Sequence, residues 1–154
     1  MALAFLGEVD GALAQLRDAV RIAQEVADVD GFGWAYFSLV QVSEGAGRLQ
    51  EALAAALEGA EASRQLGWAW QDALVELAAW FEFLLGRWGD ADRHYQVVLD
   101  RDRQMGPLRV HVRAERARLD IARGDFDAAR RLLHQAQALA AAAGRDVFDA
   151  QFSW

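Results

Sequence analysis

The sequence predicts an all-α chain built as an array of antiparallel helix pairs with a period of about 39 residues. Three observations predict it. One phrase, a Gly, an apolar residue two places on and an Ala three beyond that, occurs four times: Gly7-x-Val9-x-x-Ala12, Gly47-x-Leu49-x-x-Ala52, Gly86-x-Trp88-x-x-Ala91 and Gly124-x-Phe126-x-x-Ala129, with glycines 40, 39 and 38 residues apart. Repetition at such a period is the mark of stacked repeat units. A second glycine follows each of the last three by twenty residues, at Gly67, Gly106 and Gly144, and divides each period in two. Finally, apolar residues recur with helical spacing, and no segment alternates with period two over the length of a strand.

Each position in the phrase has a physical role. The Gly ends a helix by entering the left-handed conformation, the apolar residue plugs the corner, and the Ala lets the next helix approach closely. Asp10, Asp90, Asp92 and Asp125 fall near the first turn of the helix that follows, where a carboxylate meets the positive end of the helix dipole. The stretch "LLGRWGDADRHY", 84–95, is therefore the third copy of a structural phrase rather than a ligand site, and Trp88 is expected in the core. Pro107, directly after Gly106, suits a first helical turn.

Taken in order, helices are expected near 8–29, 32–45, 48–66, 68–85, 88–105, 107–123, 125–143 and 146–153. Trp70, Leu74, Leu77, Phe81, Leu84 and Leu85 trace one apolar face, and Val110, Ala114, Ala117 and Ile121 another. The whole of 1–154 reads as one repeat domain with junctions near Gly7, Gly47, Gly86 and Gly124. The array is out of phase at both ends, with Leu3, Phe5, Phe148, Phe152 and Trp154 where a polar cap is expected. That predicts an excerpt of a longer array or ends that self-associate.

The phrases "GRLQEALAAAL", "GRWGDADRHY" and "GDFDAARRLL" resemble the start of the second helix in tetratricopeptide (TPR) repeats. The resemblance covers nearly the whole chain and implies a right-handed superhelical α-solenoid. It departs from the family in its period, nearer 39 than 34, and in lacking the usual Pro at the repeat end. In these respects the chain is similar to the long-period TPR-like regions of MalT-like and LuxR-type bacterial regulators, which are also rich in Ala, Arg and Leu. Armadillo or HEAT stacking is the structural alternative, because those periods begin around 40.

Composition narrows the function. The 154 residues carry a net charge of −7, with four Arg against twelve acids in 1–77 and twelve Arg against eleven acids in 78–154, which argues against direct nucleic-acid binding. Cysteine is absent, so neither a disulfide nor a thiolate metal site is available. No signal sequence or membrane span is legible, and a cytoplasmic location is expected. Lys, Asn and Thr do not occur, which fits a GC-rich bacterial source.

Candidate chemistry is sparse. His94, His111 and His134 fall in different helices without paired-ligand spacing. "DVDG", 28–31, lacks the later ligands of a calcium loop and reads as a helix-ending turn. "GFG", 31–33, is neither a dinucleotide fingerprint nor a phosphate loop. The four serines sit in no nucleophile elbow. No enzyme activity, metal or cofactor is expected.

Two groups of residues are candidates for partner binding. Trp34, Phe37, Trp80 and Phe83 belong to first-type helices, which by the TPR resemblance face a concave groove. Aromatics there suit the anchoring of a partner's side chains or a small apolar ligand; alternatively they fill gaps between long helices. Arg109, Arg113, Arg116 and Arg123 mark a basic stripe on the helix near 107–123, with Arg118 nearby, and Arg113, Arg116 and Arg118 are candidates for the partner-binding groove. They could receive carboxylates or phosphates, or form surface ion pairs with acids such as Glu115 and Asp120. The expected function is a non-enzymatic protein–protein interaction or effector-sensing module, with a protein, peptide or small effector as partner, in the manner of the sensor arm of a LuxR-type regulator. The alternative is a scaffold that self-assembles into a homo-oligomer through its uncapped ends.

Overall fold

The structure is a computed structural model that describes residues 8–101 and 107–143. It is all-helical, with seven helices and no strand among the described residues. The chain divides into two compact units, Met1–Arg87 and Trp88–Trp154. The first holds α1 (Val9–Glu25), α2 (Val29–Gly45), α3 (Leu49–Leu66) and α4 (Gln71–Leu84). The second holds α5 (Trp88–Asp100), α6 (Pro107–Arg123) and α7 (Phe126–Ala143). Within each unit every helix packs on its neighbour in the chain. The helix expected near 146–153, the glycines Gly7, Gly106 and Gly144, and the apolar ends Leu3, Phe5, Phe148, Phe152 and Trp154 lie outside the described residues.

Five corners share one construction. A residue with positive φ stands at Ala27, Gly47, Gly67, Gly86 and Gly124. Its N–H donates to the carbonyl three residues back, and the N–H of the next residue donates to the carbonyl five back. The second bond is 2.8 Å for Asp28 to Ala23, Arg48 to Ser43, Trp68 to Ser63 and Arg87 to Glu82, and 2.9 Å for Asp125 to Asp120. This is the Schellman closure, which satisfies carbonyls that a helix end would otherwise leave open. The glycine phrase thus sets the corners as the sequence predicts.

The first corner corrects the sequence reading. Ala27, twenty residues after Gly7, adopts φ 54° in the role that Gly67 fills one period later. Helix α1 therefore stops at Glu25 rather than near 29. Asp28 is the N-cap of α2, its Oδ1 accepting the Gly31 N–H at 3.0 Å. "DVDG" starts a helix instead of ending one, because a carboxylate at this position satisfies a backbone donor that nothing else in the first turn can.

The signature alanines behave as expected. Ala12, Ala52, Ala91 and Ala129 are all buried. In the first unit Val40, Ala52, Leu53, Ala56, Ala78 and Phe81 form one core cluster, flanked by Leu49, Leu77, Trp80 and Leu85. Gly59 on α3 admits the Tyr36 ring so closely that a Cβ there would stand 2.7 Å from it. In the second unit Ala91, Tyr95 and Val98 place one face of α5 in the core.

Two other expectations fail. Trp88 is 39% exposed and Phe126 61% exposed, so neither is a core plug; small Ala91 with Tyr95 and Val98 fills the interior instead. On α6 the buried face runs through Val112, Glu115, Ala117, Leu119 and Asp120, while Ile121 is exposed. Two carboxylates on that face hide it from a purely apolar count. Arg118 reaches Glu115 at 3.1 Å, and Arg116 binds Asp120.

Candidate interaction surfaces

Helix α2 leaves one stripe outside the core. Asp30, Trp34, Phe37, Gln41 and Glu44 follow the i, i+4, i+7, i+11, i+14 spacing of one helical face, whereas Phe32, Ala35, Tyr36, Leu39 and Val40 are buried. On α4 the corresponding residues outside the core are Ala73, Leu77, Trp80, Phe83 and Leu84. The two stripes carry all four aromatics expected to bind a partner.

Those aromatics form two clusters. Trp34, 47% exposed, packs edge-to-face on Phe37 at 5.6 Å between ring centroids and on Trp70 at 5.5 Å. Trp80 lies 5.6 Å from Phe83, and its Nε1 donates to Glu44 Oε1 at 3.4 Å. Sequence reading missed Trp70 and Glu44 as members. Trp70 sits just before α4, in the turn after Gly67, and is held against α2 by Gly33, where any Cβ would overlap the indole. "GFG" is therefore a packing device: Gly33 makes room for Trp70, and Gly31 for the capping carboxylate of Asp28.

The arginines belong to the second unit. Arg113 Nη1 donates to the Arg109 carbonyl of its own helix at 2.9 Å. Arg116 pairs with Asp92 at 2.8 Å and with Asp120, and Arg123 reaches Asp92 at 2.6 Å and the Trp88 carbonyl at 2.9 Å. Burial by itself pushes the Asp92 carboxyl up, but Arg123 and Arg116 together outweigh it and hold the group below its ordinary value. The stripe thus fastens α6 to α5, and ion pairing occupies Arg116, Arg118 and Arg123 in the way the ion-pair alternative describes. Arg48 does the same in the first unit, reaching Asp10 at 2.5 Å from the start of α3 and drawing the Asp10 carboxyl down.

A recess of about 310 Å³ opens on another side of α2, between α1 and α3. Arg17, Tyr36, Ser43, Glu51 and Glu58 line it together with Val20 and Leu39. Tyr36 Oη donates to Glu58 Oε1 at 2.9 Å, and burial, then this bond, push the Tyr36 hydroxyl well above the usual phenol range. Nothing in the one-dimensional pattern pairs Tyr36 with a residue 22 positions away. Among the described residues no group of three or more His, Cys, Asp or Glu is placed to hold a metal ion, and no helix is long and apolar enough to cross a membrane.

No family profile matches the chain, and no curated protein matches it in sequence. Among solved structures it is similar to the nearly identical TPR-like repeats assigned to a kinesin light chain of Podosopora anserina, with a TM-score of 0.66 at 20% identity, covering 94% of this chain and 72% of that one. The likeness shows a TPR-like helical repeat fold.

Proposed function

We propose that this chain is a non-catalytic interaction module that binds a protein segment across the half-buried stripes of α2 and α4 that lie outside the core. One observation carries the reading: Trp34 stands 47% exposed at the centre of a packed aromatic cluster, held by Phe37 and Trp70. A large aromatic fixed by its neighbours loses little freedom on binding and contributes area at low entropic cost. The test is selection of peptides from a displayed random library on the folded chain, with the Trp34→Ala variant as the counter-screen. Clones that bind the parent and not the variant, with helicity and mass unchanged, support the proposal; clones indifferent to both Trp34→Ala and Trp80→Ala refute it.

The finer reading, the effector-sensing arm of a bacterial transcriptional regulator, draws its support from the 39-residue period and the Ala, Arg and Leu bias. Self-assembly is a second reading, favoured by Phe126 and Leu133, seven residues apart and both exposed on α7. A molar mass that rises with concentration and returns to the monomer value in Phe126→Ser would establish it; a constant monomer mass would dismiss it.

A further inference from the structure

The recess between α1 and α3 has a charge pattern of its own. The charged residues that line its volume of about 310 Å³ are Arg17 on α1 and Glu51 and Glu58 on α3, one cation against two carboxylates. Tyr36 on α2 fixes one of the carboxylates: its Oη donates to Glu58 Oε1 at 2.9 Å, and its buried ring sits against Gly59, where a Cβ would stand 2.7 Å from it. Glu51 is held loosely, 3.8 Å from an Arg48 that is drawn to Asp10 at 2.5 Å. The other ion pairs among the described residues of this unit join Arg21 to Asp18 and Glu25, and Arg64 to Glu61, so Arg17 stands outside them.

The two carboxylates have a fixed spacing. Seven residues apart on α3, they share one face and lie about 10.5 Å from each other along the axis, at 1.5 Å per residue. A hydrogen bond of about 2.9 Å at each end leaves about 5 Å between two bound ammonium nitrogens, the reach of a short methylene chain. Ala54 and Ala55 lie between the carboxylates, and Val20 and Leu39 line the other walls, so the stretch between the charges is apolar and roomy. Arg17 offers a guanidinium from the α1 side, the group best shaped to hold a carboxylate by two parallel bonds.

We infer that this recess binds a free basic α-amino acid, its two ammonium groups at Glu51 and Glu58, its methylene chain over Ala54 and Ala55, and its carboxylate at Arg17. The three charges of such a ligand mirror the three of the recess, so the net −1 of the lining meets a net +1. A plain diamine would set a cation against Arg17, and an uncharged side chain would leave one carboxylate unmatched. The surrounding unit, Met1–Arg87, has five Arg against thirteen acids, a net charge of −8, and its field also favours a cationic ligand. The site is separate from the α2–α4 face and stands or falls without it.

The experiment uses the full isotopically labelled chain near neutral pH and follows the backbone N–H signals of Tyr36, Ser43, Ala54 and Ala55 while L-lysine is added. Three analogues each lack one charge: norleucine the side-chain ammonium, Nα-acetyl-lysine the α-ammonium, and the diamine cadaverine the carboxylate. Lysine is expected to shift these signals saturably, and each analogue to bind about tenfold more weakly, the loss of one charged hydrogen bond. Arg17→Gln is expected to weaken lysine about tenfold and to leave cadaverine unchanged or tighter, and Glu51→Gln to weaken lysine about tenfold and leave norleucine unchanged. No saturable shift with lysine up to about 20 mM overturns the inference. So does any analogue that binds as tightly as lysine, or an affinity for lysine that is unchanged in either variant.

Discussion

The indole of Trp70 lies directly on the Cα of Gly33, in a space that no side chain at position 33 could share. Through this contact the turn before α4 is laid on α2, and Trp70 in turn supports Trp34. Gly33→Ala is expected to destabilise the fold by about 1–2 kcal/mol, because the overpacking cost of about 1–3 kcal/mol exceeds the gain of about 0.5–1 kcal/mol from replacing a mid-helix glycine. Gly11→Ala serves as the opposite control, since nothing lies within 4 Å of its Cβ position, and should be neutral or slightly stabilising. Denaturant unfolding of the two variants checks both signs.

Ala27 occupies the left-handed region at a corner where four equivalent positions carry glycine. An L-residue with a Cβ is strained there by about 1–2 kcal/mol, against about 0.4–1 kcal/mol of extra unfolded-state entropy for glycine. Ala27→Gly should therefore stabilise the protein by about 0.5–1 kcal/mol, and Gly67→Ala should destabilise it. A lower denaturation midpoint for Ala27→Gly would contradict the account of the corners.

Asp92 ties α5 to both Arg116 and Arg123. Its carboxyl is held below its ordinary value of 3.8 in the folded state, so its contribution is present above that pH and is lost as pH falls through the lower, folded value. Asp92→Asn should cost about 1 kcal/mol at neutral pH, a figure reduced for partial solvent exposure. The difference between parent and variant should shrink as pH falls below the ordinary value of 3.8 and vanish once pH lies below the lower, folded value. A gap that persists unchanged in acid would mean that the charge is not what holds α5.

Tyr36 has the opposite dependence. Burial and then the Glu58 bond raise its hydroxyl above the free phenol value of 10.0, so the folded state favours the neutral form. Its contribution is fully present below pH 10 and declines as pH rises from there towards the folded value. Tyr36→Phe is expected to cost about 0.5–1.5 kcal/mol at pH 7 and to flatten the alkaline fall in stability. Thermal melts between about pH 8 and pH 11 follow it.

The fold was legible because its cues are local. A glycine in the left-handed region, an alanine at a helix crossing and a period of apolar residues each act within a few positions, and all three recur. Where a corner used Ala27 and an Asp28 cap, the glycine search overran α1 by four residues and misread "DVDG". The core face of α6 was missed because Glu115 and Asp120 are buried with arginine partners, and hydrophobic periodicity does not count carboxylates. Of the candidate surface, the aromatic pairs on α2 and α4 were legible from spacing within one helix. Trp70 over Gly33 and Glu44 beside Trp80 were not, since each joins residues 36 or 37 positions apart through a packing register that no single helix encodes.

The most direct test of the α2–α4 surface is the change in indole and backbone N–H resonances when a library-selected peptide is added to the isotopically labelled chain. The account predicts that the signals of Trp34, Trp70 and Trp80 move together, and that those around Tyr36 and Glu58 in the recess between α1 and α3 stay in place. Movement confined to the recess, with the three indoles unchanged, would contradict it.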